Sequence, residues 1–308
     1  MDITEYKRDK FIGRKTDMKK YGETVRRIRE QKGYTMQQLA EGILSVSFLS
    51  KFERGESDIS LSYIIRLLER LSLTFEEFFY LHDSVGPGEL EHFFDKANEA
   101  YVNRDLEQLT QLRKIALDKW EIHGLETFRC NLVMLGVYEC IIRGEKTTST
   151  GDSLEFLYAY LFEVEIWGYY ELRLYNSTMF LMPPEMVITL SKNAFEKSSR
   201  FGKLKKTDKT IIAILMNTLT YMMGGAVPYV EQYKVFLGYL ESLDIPEDDL
   251  YIRNTQLQIK GIYEIKIGNR VKGIDMVQKT ISIFTDLGSN ELAATAENYL
   301  NIVLDEKK

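Results

Sequence analysis

The chain has 308 residues, of which 44% are hydrophobic and 28% charged, the composition of a soluble globular protein long enough for about two domains. Its longest apolar runs, such as 211–216, fall far short of the roughly 20 residues that span a bilayer, and the N-terminal MDITEYKRDKFIGRK lacks the apolar stretch of a signal peptide, so the reading is a cytoplasmic protein without a membrane partner. The net charge of −6 is unevenly spread: residues 1–82 carry 15 Lys+Arg against 13 Asp+Glu, residues 83–308 carry 25 against 33, and residues 1–33 alone carry 11 against 6, which concentrates positive charge where a DNA-facing surface would be wanted.

In chain order, residues 1–17 read as an arm, either disordered or a basic extension that reaches DNA. Residues 18–83 read as five helices. Tyr21, Val25 and Ile28 fall on one face of the first, which Gly33 ends. Thr35 with Gln38 makes a capping box for the second, whose apolar face is Leu39 and Ile43. Ser45 caps a third, in which Val46, Leu49 and Phe52 recur at threes and which Gly55 stops. LSYIIRLLERL and a helix opened by Thr74 complete the block. The SVGPGE segment, 84–89, is read as a linker.

From residue 90 to 308 helical patterns recur in pairs: 90–102 with 105–121, 124–143 with 152–166, 168–181 with 184–201, 208–223 with 228–243, 249–267 with 271–286, then a last helix at 290–305. The five prolines, all after residue 86, stand where one pattern stops and the next begins. No alternating strand pattern and no Asn-Gly or Asp-Gly hairpin turn appears, so the fold class is all-α. Cys130 and Cys140, ten residues apart on one helix, would sit about 15 Å from each other along its axis, beyond disulfide reach. They are read as packed thiols.

The 18–83 block has a short second helix, a tight turn and a short third helix. With Arg29, YTMQQLAEG at 34–42 and SFLSKFERGE at 47–56, it resembles the Xre-type helix-turn-helix of phage repressors. In that arrangement the third helix enters the major groove of double-stranded DNA with its N-terminal residues toward base edges. Val46, Ser47 and Lys51 then face bases, Val46 on a thymine methyl and Lys51 on guanine acceptors. Thr35, Gln37, Ser50 and Arg54 become backbone-contact candidates, helped by the amides at the start of the second helix. The resemblance also implies that Arg29 and Glu53 pair and lock the first helix to the third. The plain alternative for Lys51 and Arg54 is solvated helix charge.

The downstream pairs recur at about 40 residues, and Leu132-x-x-Leu135-Gly136-x-Tyr138 is echoed by Leu257-x-x-x-Gly261-x-Tyr263, with Gly273 and Thr280 following. This resembles a lengthened, degenerate tetratricopeptide repeat, whose usual length is about 34. A right-handed superhelix of such pairs lines a concave face with its first helices. Arg143, Arg173, Asn176, Asn217, Tyr221, Asn254 and Gln258 are the polar candidates on those helices. An Asn side chain can pair with both groups of an extended peptide backbone, and an Arg can grip a carboxylate. Solvation or helix-to-helix tying is the alternative for each. FLMPPEM and YMMGG read as core.

SFLSKFERGESDIS at 47–60, RLLERLSLTFEEFF at 66–79 and IWGYYELRLYN at 166–176 resemble the Rgg/MutR regulators of streptococci, over nearly all of 18–308. That resemblance implies a homodimeric transcription regulator whose helical domain, 90–308, binds a short hydrophobic signalling peptide, with contact to RNA polymerase left open. Two other readings remain. One is a regulator whose helical domain binds a protein or small molecule or only dimerises. The other is a helical-repeat scaffold that binds protein. His82, His92 and His123 have no metal-ligand spacing, and no phosphate loop, dinucleotide fingerprint or nucleophile elbow occurs. No enzyme, cofactor or metal site is expected.

Overall fold

A computed structural model of the chain describes residues 21–83, 89–145, 151–198, 205–223 and 229–305. The arm at 1–17 and residues 84–88 of the expected linker lie outside them. The described residues form helices joined by turns and short loops, with no strand among them. The chain divides into two compact units, the first ending at Lys96 and the second beginning at Ala97.

The first unit holds α1 (21–31), α2 (Met36–Ala40), α3 (Val46–Glu53), α4 (Leu61–Arg70), α5 (Phe75–Asp83) and the start of α6 (Glu89–Val102). Local chemistry sets the boundaries. The Thr35 hydroxyl accepts from the Gln38 N–H at 3.1 Å, while the Gln38 side chain accepts from the Thr35 N–H at 2.8 Å. Ser45 caps α3 through Phe48 N–H at 3.1 Å. Thr74 and Glu77 cap α5 reciprocally at 3.1 and 2.8 Å. Such caps satisfy amides that the first turn leaves without carbonyl partners. Val25, Ile28, Leu39, Ile43, Leu49, Phe52, Leu67, Leu68, Leu71 and Phe78 form one buried cluster. Val46, despite its apolar spacing with Leu49 and Phe52, is 44% exposed. A Cβ on Gly22 would lie 1.9 Å from the Phe52 carbonyl oxygen, so only glycine lets α1 lie this close to α3.

The second unit continues with α7 (Leu106–His123), α8 (Glu126–Arg143), α9 (Gly151–Glu163), α10 (Tyr169–Thr178) and a 3-10 turn (Met179–Leu181). Then follow α11 (Pro184–Ser198), α12 (Lys205–Met223), α13 (Val230–Ser242), α14 (Leu250–Lys266), α15 (Arg270–Asp286) and α16 (Asn290–Asp305). Helices α8, α10, α12, α14 and α16 pack in succession, while α9, α11, α13 and α15 each back onto a member of that row. Helices α14 and α15 approach most intimately: a Cβ on Gly273 would meet the Gly261 carbonyl oxygen at 2.5 Å and the Ile265 nitrogen at 2.6 Å.

Buried hydroxyls tie this layer together. The Tyr175 hydroxyl lies 3.0 Å from the Val187 carbonyl and 2.6 Å from the Ser191 hydroxyl, which lies 2.6 Å from that of Thr218. Tyr175 donates outward to Val187 and Thr218 to the Ile214 carbonyl, which leaves the single Ser191 proton to be shared between the two inner contacts. Trp167 is fully buried, edge-on to Tyr175 at 5.6 Å, and donates to the Leu161 carbonyl at 3.2 Å. Both cysteines are free and sit on α8. Burial pushes the Cys130 thiol up to about 12, which keeps it protonated and unreactive.

Candidate functional site

In the first unit the site is a short helix presented by a clamp. The clamp is Arg29, whose Nε donates to Glu53 Oε1 at 2.7 Å and whose Nη2 donates to Oε2 at 2.9 Å. Its Nη1 donates to the Tyr34 carbonyl at 2.9 Å. Only 7% of the Arg29 side chain and 1% of that of Glu53 is exposed, so this is a desolvated, bidentate pair. The hydrogen bond to Glu53 leads the causes that raise the guanidinium above its ordinary pKa. One residue thus fixes α3 and the start of α2 to α1.

On the outward side, Val46, Ser47 and Lys51 of α3 are all exposed, as are Thr35 and Gln37 at the start of α2. Thr35 is already engaged in the α2 cap. Arg54 donates to both carboxylate oxygens of Glu56 at 2.7 Å and to the Ser50 hydroxyl. The bond to Glu56 raises the Arg54 pKa and lowers that of Glu56. Ser50 and Arg54 therefore enter any encounter with phosphate already bound to each other.

Other cations of this unit, which motif reading passes over, serve helix ends. Lys32 donates to the Leu71 carbonyl at 2.6 Å, Arg27 to that of Leu81, Arg66 to that of Gly42 at 2.7 Å, and Arg70 to those of Gln38, Leu39 and Glu41. Part of the N-terminal positive charge is thus spent inside the fold. The only sequence signal for it is a basic residue one helix away from an uncapped C-terminus.

In the second unit the seven polar candidates separate into groups. Arg143 is exposed at the end of α8. Arg173 is half-buried on α10, its guanidinium carbon 5.9 Å from the Tyr169 ring centre. Asn176 and Asn217 meet across α10 and α12, the Asn217 amide donating to the Asn176 oxygen at 3.0 Å. Gln258 lines a pocket of about 240 Å³ between α12, α14 and α16, with Leu219, Met223, Ile259 and Ile262 as its apolar wall and Thr220, Thr255, Thr295 and Tyr299 at its polar rim. The Tyr221 hydroxyl donates to the Met182 carbonyl at 2.9 Å, tying α12 to the segment before α11. Asn254 is not on an open face. It is 6% exposed and donates to the Thr280 carbonyl at 3.1 Å, because the Gly261–Gly273 approach closes α14 onto α15 around it.

No group of His, Cys, Asp and Glu among the described residues could hold a metal ion, and no described helix is long and apolar enough to cross a membrane. Residues 25–78 match the helix-turn-helix family, so α1–α5 are the DNA-binding module of a transcription regulator, with α3 in the place of the helix that reads DNA. Residues 89–298 match the C-terminal domain of the HTH-type transcriptional regulator Rgg. That match spans more than half of the sequence, and the chain belongs to the Rgg family. A cysteine variant of the SHP pheromone receptor Rgg2 of Streptococcus dysgalactiae is 25% identical and superposes with a TM-score of 0.77, covering 92% of this chain and 99% of that one. A Listeria monocytogenes protein described as a transcriptional regulator, 19% identical, covers 94% and 99% with a TM-score of 0.82. PrgX in complex with cCF10, 17% identical, covers 92% and 99% at 0.67. The last two share the fold. The family and these relatives are regulators and receptors, not enzymes.

Proposed function

We propose that this regulator is a cytoplasmic homodimer that binds an inverted repeat in duplex DNA and is controlled by a short, mostly apolar signalling peptide. The observation that carries the peptide reading is the unbroken row α8, α10, α12, α14 and α16. It brings the Asn176–Asn217 amides into contact and opens the Gln258 pocket between the same helices. The likeness to an SHP pheromone receptor over 92% of the chain supports the same reading. Side-chain amides would fix an extended backbone while the pocket takes an apolar side chain. Arg143 and Arg173 would receive carboxylate, Tyr221 would shape the wall, and Asn254 would act from behind by holding α14 to α15.

On the DNA side Val46, Ser47 and Lys51 would read base edges, with Thr35, Gln37, Ser50 and Arg54 placed for the backbone. Dimer half-sites one helical turn apart lie at about 34 Å. A peptide biases the regulator only by its differential affinity for two states, commonly about 1–3 kcal/mol. That bias would be read in half-site spacing or in contact with RNA polymerase.

The test is calorimetry with peptides encoded beside the gene, on the wild type and on Asn217→Ala, followed by a reporter assay. Asn217→Ala is expected to weaken binding by about 1 kcal/mol, the value of one neutral hydrogen bond. If Asn217→Ala, Gln258→Ala and Arg173→Ala all leave a tight peptide unaffected, the groove lies elsewhere. If no encoded peptide binds or moves the reporter, the helical domain dimerises or takes another ligand.

A further inference from the structure

Helix α2 has only five residues, and its C-cap, Glu41, sits at φ −49°, ψ 123°. With the left-handed residue that follows, this makes a tight turn closed on Ala40, which leaves earlier carbonyls of the helix uncovered. Gly42, at φ +66°, then turns the chain toward α3. The Gln37 carbonyl accepts from Glu41 N–H at 3.0 Å, and that of Ala40 accepts from Ile43 and Leu44 at 2.9 and 3.0 Å. The carbonyls of Gln38, Leu39, Glu41 and Gly42 remain for other donors, at the negative end of the α2 dipole.

Two arginines of α4 reach all four. Arg70 Nη1 shares its two hydrogens among Gln38 O at 3.2 Å, Leu39 O at 3.3 Å and Glu41 O, while Arg66 Nη2 donates to Gly42 O at 2.7 Å. The planar guanidinium suits this task because its orientation is preset, so the Nη1 amino group is held over the cluster of carbonyls at small entropic cost. The α2–α3 turn sets the angle between the two helices. Leu49, Phe52 and Glu53 would keep α3 attached to the core without it, but they do not fix that angle.

We infer that Arg66 and Arg70 are positioning residues for DNA recognition, which hold the α2–α3 turn from α4 and make no phosphate contact of their own. The inference rests on reading α3 as the base-reading helix. It separates two properties that a cation in a DNA-binding domain usually mixes. A phosphate-contacting cation contributes to every sequence alike and adds to the salt dependence. A residue that orients α3 contributes to the matched sequence and leaves the salt dependence alone, because no counterion is released through it.

The experiment uses the full chain and a duplex that the wild type selects from a random pool, with a scrambled duplex of equal length. The probes are the double variant Arg66→Gln with Arg70→Gln and, separately, Arg70→Lys, which keeps the charge but not the fork. The double variant is expected to bind the selected duplex about tenfold more weakly at every salt concentration. Its slope of log K against log salt should be unchanged and its affinity for the scrambled duplex within about twofold of wild type. Arg70→Lys should fall between them, and amide exchange should quicken only around 38–44. A slope reduced by about 0.9 per arginine, with both duplexes losing affinity together, would make the arginines phosphate contacts and overturn the inference. So would an unchanged affinity for the selected duplex. Faster exchange throughout α1–α5 in both variants would make them general staples and overturn it as well. A wild type that selects no duplex would remove the DNA reading itself, an outcome distinct from all of these.

Discussion

The two units bury polar groups by different chemistry. In the first, cations do the tying: Arg29 grips Glu53, and Lys32, Arg27, Arg66 and Arg70 close the C-terminal ends of helices. In the second, cations also serve carbonyls at or just past helix ends, Arg104 that of Ile142 at 2.9 Å and Arg253 that of Ile245 at 3.0 Å. But neutral hydroxyls tie its interior: Tyr170 donates to the Thr127 carbonyl at 2.6 Å, Tyr221 to that of Met182 at 2.9 Å, and Tyr233 to that of Ile259 at 3.0 Å, with the Tyr175–Ser191–Thr218 chain at the centre. The difference follows what each unit must face. A small module meant for a polyanion can use cations both as staples and as surface charge. The larger unit buries its polar ties more deeply, and there a phenol brings a large apolar body with one polar end.

The sharpest way to break this contrast is Arg29→Ala. It leaves Glu53 buried without its bidentate partner and is expected to cost the first unit about 3–5 kcal/mol. In a denaturant titration followed by amide exchange, α1–α5 should open early while α8–α16 keep their protection. Equal loss in both units would show that they do not unfold separately. Next, Lys51→Ala is expected to cost about 1–3 kcal/mol on a selected duplex and much less on a scrambled one. An equal loss on both would make Lys51 a backbone contact.

Alkaline pH should act on the hydroxyl-held unit. Burial raises the phenols of Tyr170, Tyr175 and Tyr233 above their ordinary value near 10. The folded state therefore keeps protons that the unfolded chain gives up. Their contribution is complete below about pH 10 and declines above it by roughly 1.4 kcal/mol per pH unit at each group. A pH-dependent melt in which exchange in α10–α14 quickens above pH 10 before that of α1–α3 would sharpen the contrast, and the reverse order would break it. Tyr175→Phe is the mildest change. Ser191 and Thr218 still bond each other, so the expected cost is about 1 kcal/mol, independent of salt.

Much of this architecture is legible in the sequence because it is set locally. Thr35 with Gln38, Ser45 and Thr74 announce their helices by side-chain chemistry within four residues, and the expected helices at 249–267, 271–286 and 290–305 differ from α14, α15 and α16 by a residue or so at their ends. Pro184 opens α11 as a first-turn proline should. Distance along the chain is what hides the rest. Arg70 meets the α2 carbonyls across 32 residues, and no spacing rule links them. Asn254 has the same local pattern as Gln258, one turn further along α14. Yet one is sealed against α15 and the other lines a pocket, and which is which depends on glycines at 261 and 273. Val46 shows the reverse: its spacing matches the core face, and only the helix-turn-helix resemblance, which turns it outward, agrees with its exposure.

Trp167, sealed beside Tyr175, has a consequence for watching the molecule move. The chain has two tryptophans, and both Trp120 and Trp167 lie in the second unit, one 37% exposed and the other fully buried. Indole emission therefore carries no direct signal from α1–α5, and unfolding of that unit leaves its intensity and wavelength unchanged unless it perturbs the helical repeats. Far-ultraviolet dichroism, by contrast, sums over every helix. An offset between the two optical traces reports the independence of the DNA-binding module without a label. A shift in indole emission on adding a peptide would report an event in the second unit alone.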